Sequence, residues 1–137
     1  MERILAFDPG ERRVGVAVSD PLGLTAQPVE TYTRVSAEAD LAHYGELIRS
    51  WQPGKIVIGY PLHMNADEGI KAKQSRELGA LLESTYGVPV DYLDERLTTV
   101  QAHRILTESS VRGKKRKQTV DTVAAVLILE NYLQMHR

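Results

Sequence analysis

Apolar positions fall into two alternating periods along this chain. Ile4-Leu5-Ala6-Phe7 and Val14-Gly15-Val16-Ala17-Val18 are short apolar runs on either side of a polar turn, Asp8 to Arg13. They predict a β-hairpin with Gly10 near the turn and Asp8 where the first strand runs out. Pro28 to Thr33 reads as a shorter third strand, antiparallel to the second. The period then becomes helical, with Leu41, Tyr44, Ile48 and Trp51 on one stripe. Ser36 is placed to cap that helix, Glu38 and Asp40 suit its first turn, and Pro53-Gly54 ends it.

Lys55 to Gly59 is apolar without alternation, as expected of a strand buried on both faces. Tyr60 to Asn65 leaves it as a loop. A helix starting near Asn65 or Asp67 turns Leu78, Leu81 and Leu82 inward. Val88 to Leu93 is the next strand, with Pro89 tolerated near its start. Thr98 and Gln101 have the spacing of a capping box for a helix through Ile105-Leu106. Ser109 to Gln118 lacks periodicity and predicts a mobile loop. The last helix, roughly Thr119 to Met135, carries Val120, Ala124, Leu127 and Ile128 inward.

The order β-β-β-α-β-α-β-α-α predicts an α/β fold. A three-strand antiparallel meander joins parallel strands in one mixed sheet with helices on both faces. Reactive groups in such sheets gather at the carboxyl ends of the strands. Asp8 ends the first strand, Glu95 follows the last, and Asp121 lies in the first turn of the last helix. Each acid alone reads equally well as a turn, capping or helix-dipole residue. Together they can meet at one edge, where three carboxylates repel one another and call for a cation. Magnesium and manganese take such oxygen ligands, and two ions about 3.5–4 Å apart clamp an in-line phosphoryl displacement.

Composition narrows the classes further. At 137 residues the chain predicts one domain spanning 1–137. With no cysteine, disulfides, thiolate metal sites and cysteine nucleophiles are excluded. No apolar run approaches membrane length and no signal core opens the chain, so a cytoplasmic protein without membrane contact is expected. A net charge of -1 hides a local excess, because five of the six residues from Arg112 to Lys117 are basic. Lys114, Lys115, Arg116 and Lys117 suit phosphate-backbone contact, with a solvated loop as the plain alternative. Arg12, Arg13 and Arg96 flank the acids and are candidates to hold the scissile phosphate or to offset carboxylate repulsion. His43, His63, His103 and His136 show no metal-ligand spacing, and only His63 is placed to reach the acids.

Four motifs in register carry a resemblance over essentially the whole chain. Phe7-Asp8-Pro9-Gly10 with Arg13-Val14-Gly15-Val16-Ala17, Gly59-Tyr60-Pro61-Leu62, Asp94-Glu95-Arg96-Leu97-Thr98-Thr99, and Asp121 with Ala124-Ala125 and Ile128-Leu129 resemble the YqgF family. That family is described as a pre-16S ribosomal RNA nuclease and a Holliday-junction resolvase homologue. The resemblance implies a ribonuclease H-like fold and a Mg2+- or Mn2+-dependent nuclease, with Asp8, Glu95 and Asp121 at its acidic, metal-binding positions. It departs from the related resolvases, which carry two acids on the last helix. Here Gln118, Ala124 and Ala125 leave Asp121 as the only acid on that face, so a second ion would be weakly held, or completed by substrate phosphate or by Asp94.

Three functions follow. The first is a nuclease on structured RNA, with ribosomal RNA maturation as its role. The second is a Holliday-junction resolvase acting on branched DNA, which requires a symmetric homodimer. The third is a non-catalytic nucleic-acid binder serving ribosome assembly. Nucleotide binding of the actin-like kind needs two such lobes, which 137 residues do not supply.

Overall fold

The computed structural model describes residues 2–60, 68–94 and 113–136. Its strands are β1 (Arg3–Pro9), β2 (Arg13–Ser19), β3 (Ala26–Thr33), β4 (Pro53–Tyr60) and β5 (Val90–Asp94). The helices among the described residues are α1 (Ala37–Trp51), α2 (Glu68–Tyr86) and α3 (Gly113–Met135). The sheet order is β3-β2-β1-β4-β5. β1, β2 and β3 form the antiparallel meander, while β4 runs parallel to β1 and β5 parallel to β4. This is the mixed sheet that the pattern predicts.

Strand alternation decides which helix lies on which face. Leu5, Phe7, Val14, Val16, Val18, Ile56 and Ile58 pack against Tyr44, Leu47 and Ile48 of α1 and Leu78 and Leu82 of α2. The opposite parity meets α3: Ala6 and Ala17 touch Ala125 and Leu129, and Val57 and Leu93 touch Ile128 and Tyr132. Alanines on both sides let α3 lie close to the sheet. Its far end is pinned by polar contacts. Lys55 Nζ donates to the Tyr132 hydroxyl at 3.0 Å, and that hydroxyl donates to Asp91 Oδ2 at 2.9 Å. Burial pushes the Asp91 carboxyl up, but the Tyr92 amide and Tyr132 hydroxyl outweigh it and hold the group below the usual range.

The capping of α1 follows the sequence. Ser36 Oγ accepts the Ala39 amide at 3.1 Å, and Gln52 closes the helix in the left-handed region at φ 47°.

Several expectations are corrected. Residues 113–118 open α3 rather than forming a loop. Lys, Arg and Gln are good helix formers, and a polar helix has no apolar period to detect. Leu81 is 43% exposed, because Leu78 and Leu82 already fill the contact with the sheet. Leu127 is half-buried, whereas Ala125 and Leu129 take the inward places beside Ala124 and Ile128. Pro89 precedes β5, and its carbonyl accepts the Ile56 amide at 2.9 Å. The capping-box helix near 98–106, the start of α2 before Glu68 and the loop carrying His63 lie outside the described residues, as does the side chain of Val120.

Candidate functional site

Asp8 is the penultimate residue of β1, a strand hydrogen-bonded on both sides, and only 9% exposed. By parity it shares its face with Ala6, so it points toward the α3 side. Its partner on β2 is Gly15, whose partner on β3 is Thr31. This row of three residues spans about 10 Å at 4.7–4.9 Å per strand. Thr31 Oγ1 hydrogen-bonds to Thr122 Oγ1 of α3, so the helix enters over the row that contains Asp8. Gly15 contributes no side chain between Thr31 and Asp8.

Asp121 immediately precedes Thr122 and stands one turn before the buried Ala124 and Ala125. Its helical position is described and its side chain is not. Asp94 ends β5 opposite Tyr60, at the same sheet edge as Pro9. Glu95 and Arg96 lie outside the described residues. The structure therefore brings position 121 and the end of β5 to the edge where Asp8 sits.

The turn after Asp8 is tightly bonded. The Gly10 amide donates to the Arg13 carbonyl at 2.8 Å, and a Cβ at Gly10 would lie 2.8 Å from that oxygen. Glycine is required by this close approach rather than by a left-handed backbone. Arg12 at the tip is exposed and Arg13 is half-buried at the start of β2. Lys114, Lys115, Arg116 and Lys117 occupy the first two turns of α3. Positions 114, 117 and 121 share one helical row at spacings of three and four, which the loop expectation concealed.

The described histidines have structural partners. His43 Nε2 bonds Glu30 Oε1 at 2.8 Å and stacks on Tyr32 at 4.1 Å, while His136 lies against Tyr132 at 4.2 Å. His63 and His103 lie outside the described residues. No group of three or more histidine or acidic side chains gathers as a metal site among the described residues. Asp8 itself fits a hard divalent cation, being a buried oxygen donor on a rigid strand. Clefts of about 290 Å³ between α1 and α2, and of about 480 Å³ beside Lys55 and Tyr132, are not lined by Asp8. Sequence reading missed Arg34 and the buried role of Asp40. The link from Arg34 to the Asp8 turn becomes visible only through the β2–β3 register.

Comparison with known proteins adds ancestry. The family model described as "RuvX: Holliday junction resolvase" matches residues 2–135. A Lactococcus lactis subsp. lactis protein named "Putative pre-16S rRNA nuclease" is 52% identical over 136 residues, covering 98% of this chain and 95% of that one. A Limosilactobacillus fermentum protein of the same name is 49% identical, covering 98% and 94%. Among solved structures, Thermus thermophilus RuvC bound to a Holliday junction substrate aligns with TM-score 0.60 at 16% identity, covering 98% of this chain and 96% of that one. Fowlpox virus resolvase with Holliday junction DNA aligns at 0.59 and 10%, covering 98% of each. At those identities the structural likeness speaks for the fold alone.

Proposed function

The chain belongs to the RuvX family, also called YqgF, and from that premise we propose that it is a divalent-metal-dependent nuclease hydrolysing phosphodiester bonds. Maturation of the 5′ end of pre-16S rRNA is its role on this reading, in the cytoplasm and as a single domain spanning 1–137. One observation carries the proposal. Asp8 is a buried carboxylate on a central strand, in the row over which α3 enters one residue after Asp121. Burying a carboxylate costs stability, so its place at an edge shared with two further acids in the sequence argues for use.

Asp8, Glu95 and Asp121 would hold Mg2+ or Mn2+. Glu95 is the next residue in sequence after Asp94, which ends β5. When bound, such an ion supplies Lewis-acid stabilisation of phosphoryl oxygen and a more acidic water. The chain's own part is positioning. The β1 ladder fixes Asp8, and Arg12, Arg13 and Arg96 neutralise phosphates beside the reacting one. Lys114 and Lys117 extend the same helical row about 10 and 6 Å beyond position 121, at 1.5 Å per residue. Lys115 and Arg116 add charge off that row.

The matched model's description favours a second reading, a resolvase acting on four-way DNA as a symmetric homodimer. Incubating the protein with 5′-extended 16S precursor RNA and with a four-way DNA junction, in Mn2+ or in EDTA, separates the two. Cleavage of RNA in Mn2+ that is lost in EDTA and in Asp8→Asn, with nucleic-acid binding retained, supports the nuclease. Preferential cutting of the junction supports the resolvase. Binding with no cleavage of either substrate returns the chain to a non-catalytic assembly factor.

A further inference from the structure

Behind the Asp8 turn lies a polar network that the nuclease reading does not use. Arg34, the residue after β3, reaches back to that turn twice. Its amide donates to the Arg12 carbonyl at 2.8 Å, and its Nη1 donates to the Gly10 carbonyl at 2.9 Å. The guanidinium is backed by Asp40 of α1, whose Oδ2 lies 4.0 Å from Arg34 Nε. Asp40 is only 8% exposed, and its Oδ1 accepts both the Tyr32 hydroxyl and the Val35 amide at 2.8 Å. The chain of contacts therefore runs from α1 through Asp40 and Arg34 to the backbone of Gly10 and Arg12.

We propose that Arg34, held by Asp40, is a positioning residue that locks the Gly10–Arg13 turn so that Arg12 and Arg13 meet the substrate's phosphates in a fixed geometry. The proposal rests on the assignment of Asp8 and its turn to the nuclease site. Its chemistry suits arginine. A planar fork directs one N–H to a carbonyl in a fixed geometry while the rest of the group faces a carboxylate, which a flexible point-charge ammonium does less rigidly. A half-buried ion pair at 4.0 Å is weak grounds for stability by itself, since solvent screening and desolvation offset much of the attraction. Spending one beneath an exposed, arginine-bearing turn is better explained by orientation. Asp8 does not need this support, because the β1–β2 ladder holds it through Gly15. Removing the guanidinium should therefore weaken substrate binding more than the chemical step.

The experiment compares parent, Arg34→Ala, Arg34→Lys, Asp40→Asn and Asp8→Asn on a labelled four-way DNA junction and on 5′-extended 16S precursor RNA, in Mn2+. Arg34→Ala should raise KM about tenfold and leave kcat within about twofold. On the junction, the slope of log affinity on log salt should flatten by up to about 0.9 for each phosphate that the turn no longer neutralises. Amide exchange at Gly10 should quicken, and added guanidinium ion should restore part of the affinity in Arg34→Ala but not in the parent. Arg34→Lys should fall between the two, and it supplies the reading if Arg34→Ala does not fold. Asp40→Asn should move KM in the same direction by less. If Asp8→Asn is inactive while the Arg34 variants keep parental KM, salt slope and Gly10 exchange, this proposal alone is overturned. If Asp8→Asn cleaves as fast as the parent, the site assignment falls and the proposal falls with it.

Discussion

The basic start of α3 yields a prediction in which stability and binding move in opposite directions. Lys114, Lys115 and Arg116 occupy the first turn, where unpaired amides give the helix a positive end, and no acid accompanies them. Each cation there is unfavourable by about 0.3–1 kcal/mol, so the three together cost about 1–3 kcal/mol at low salt. Replacing all three with glutamine keeps helix-forming side chains while removing the charge. At about 2–4 °C per kcal/mol, the range for slightly larger domains, the triple variant should melt several degrees above the parent. The gain should shrink in high salt as the charges are screened.

Binding should respond the other way. With three fewer phosphates neutralised, the slope of log affinity on log salt flattens by up to about 2.7 on duplex DNA. The weakening should be similar for all sequences, because phosphates carry no base information. Calorimetry and fluorescence anisotropy across a salt series measure the two halves. A variant that melts lower than the parent, or that binds with the parent's salt slope, would refute the claim that these cations serve a polyanion at the helix's expense.

Other outcomes follow from the same structure. Mn2+ should raise the melting temperature of the parent by mass action, and Asp121→Asn should shrink that rise, as differential scanning fluorimetry with and without EDTA can test. Within the basic run, Lys114→Gln with Lys117→Gln should lower cleavage more than Lys115→Gln with Arg116→Gln, since only the first pair shares the row of position 121; equal losses in an initial-rate assay would refute the row assignment. Gly45→Ala should destabilise by about 1–3 kcal/mol in urea titration, because its Cβ would overlap the ring and hydroxyl of Tyr86 and outweigh the gain in helix propensity. Burial, then the hydrogen bond to Asp40 and its negative charge, push the Tyr32 hydroxyl up to about 12 from 10.0. A raised folded-state pKa gives stability that is full below pH 10 and lost toward 12, so urea midpoints should fall over that window and fall less in Tyr32→Phe.

The strands, the first two helices and their faces were legible because burial writes a period into the sequence. Val14, Val16 and Val18 alternate with Gly15 and Ala17, and Tyr44 and Ile48 repeat at four. The start of α3 was not legible, because Lys114 to Lys117 have no apolar face to mark the helix. Leu81 misled for the opposite reason. Apolar identity at a helical spacing does not say which of two adjacent leucines the sheet has room for. Of the candidate site, Asp8 and its strand-end position could be read directly. The Arg34–Asp40 support could not, since it joins residues 24 apart through a register that no local pattern encodes.

That register also explains why Asp8, the end of β5 and position 121 lie toward one edge. β1 is where the sheet changes from antiparallel to parallel pairing, with β2 on one side and β4 on the other. The chain leaves β1 by a tight turn, so Asp8 is followed within five residues by arginines held against β3. The parallel strands on the other side deliver their own carboxyl ends to the same edge, which brings Asp94 there. Between Arg13 and Ser19, the ends of β2, the α3 face offers Gly15 and Ala17, so the helix can descend close to the sheet at Thr31. A larger residue at position 15 would project from the row between Thr31 and Asp8. The small residues of this face are therefore a condition of the close approach of α3, which sets how far position 121 stands from Asp8.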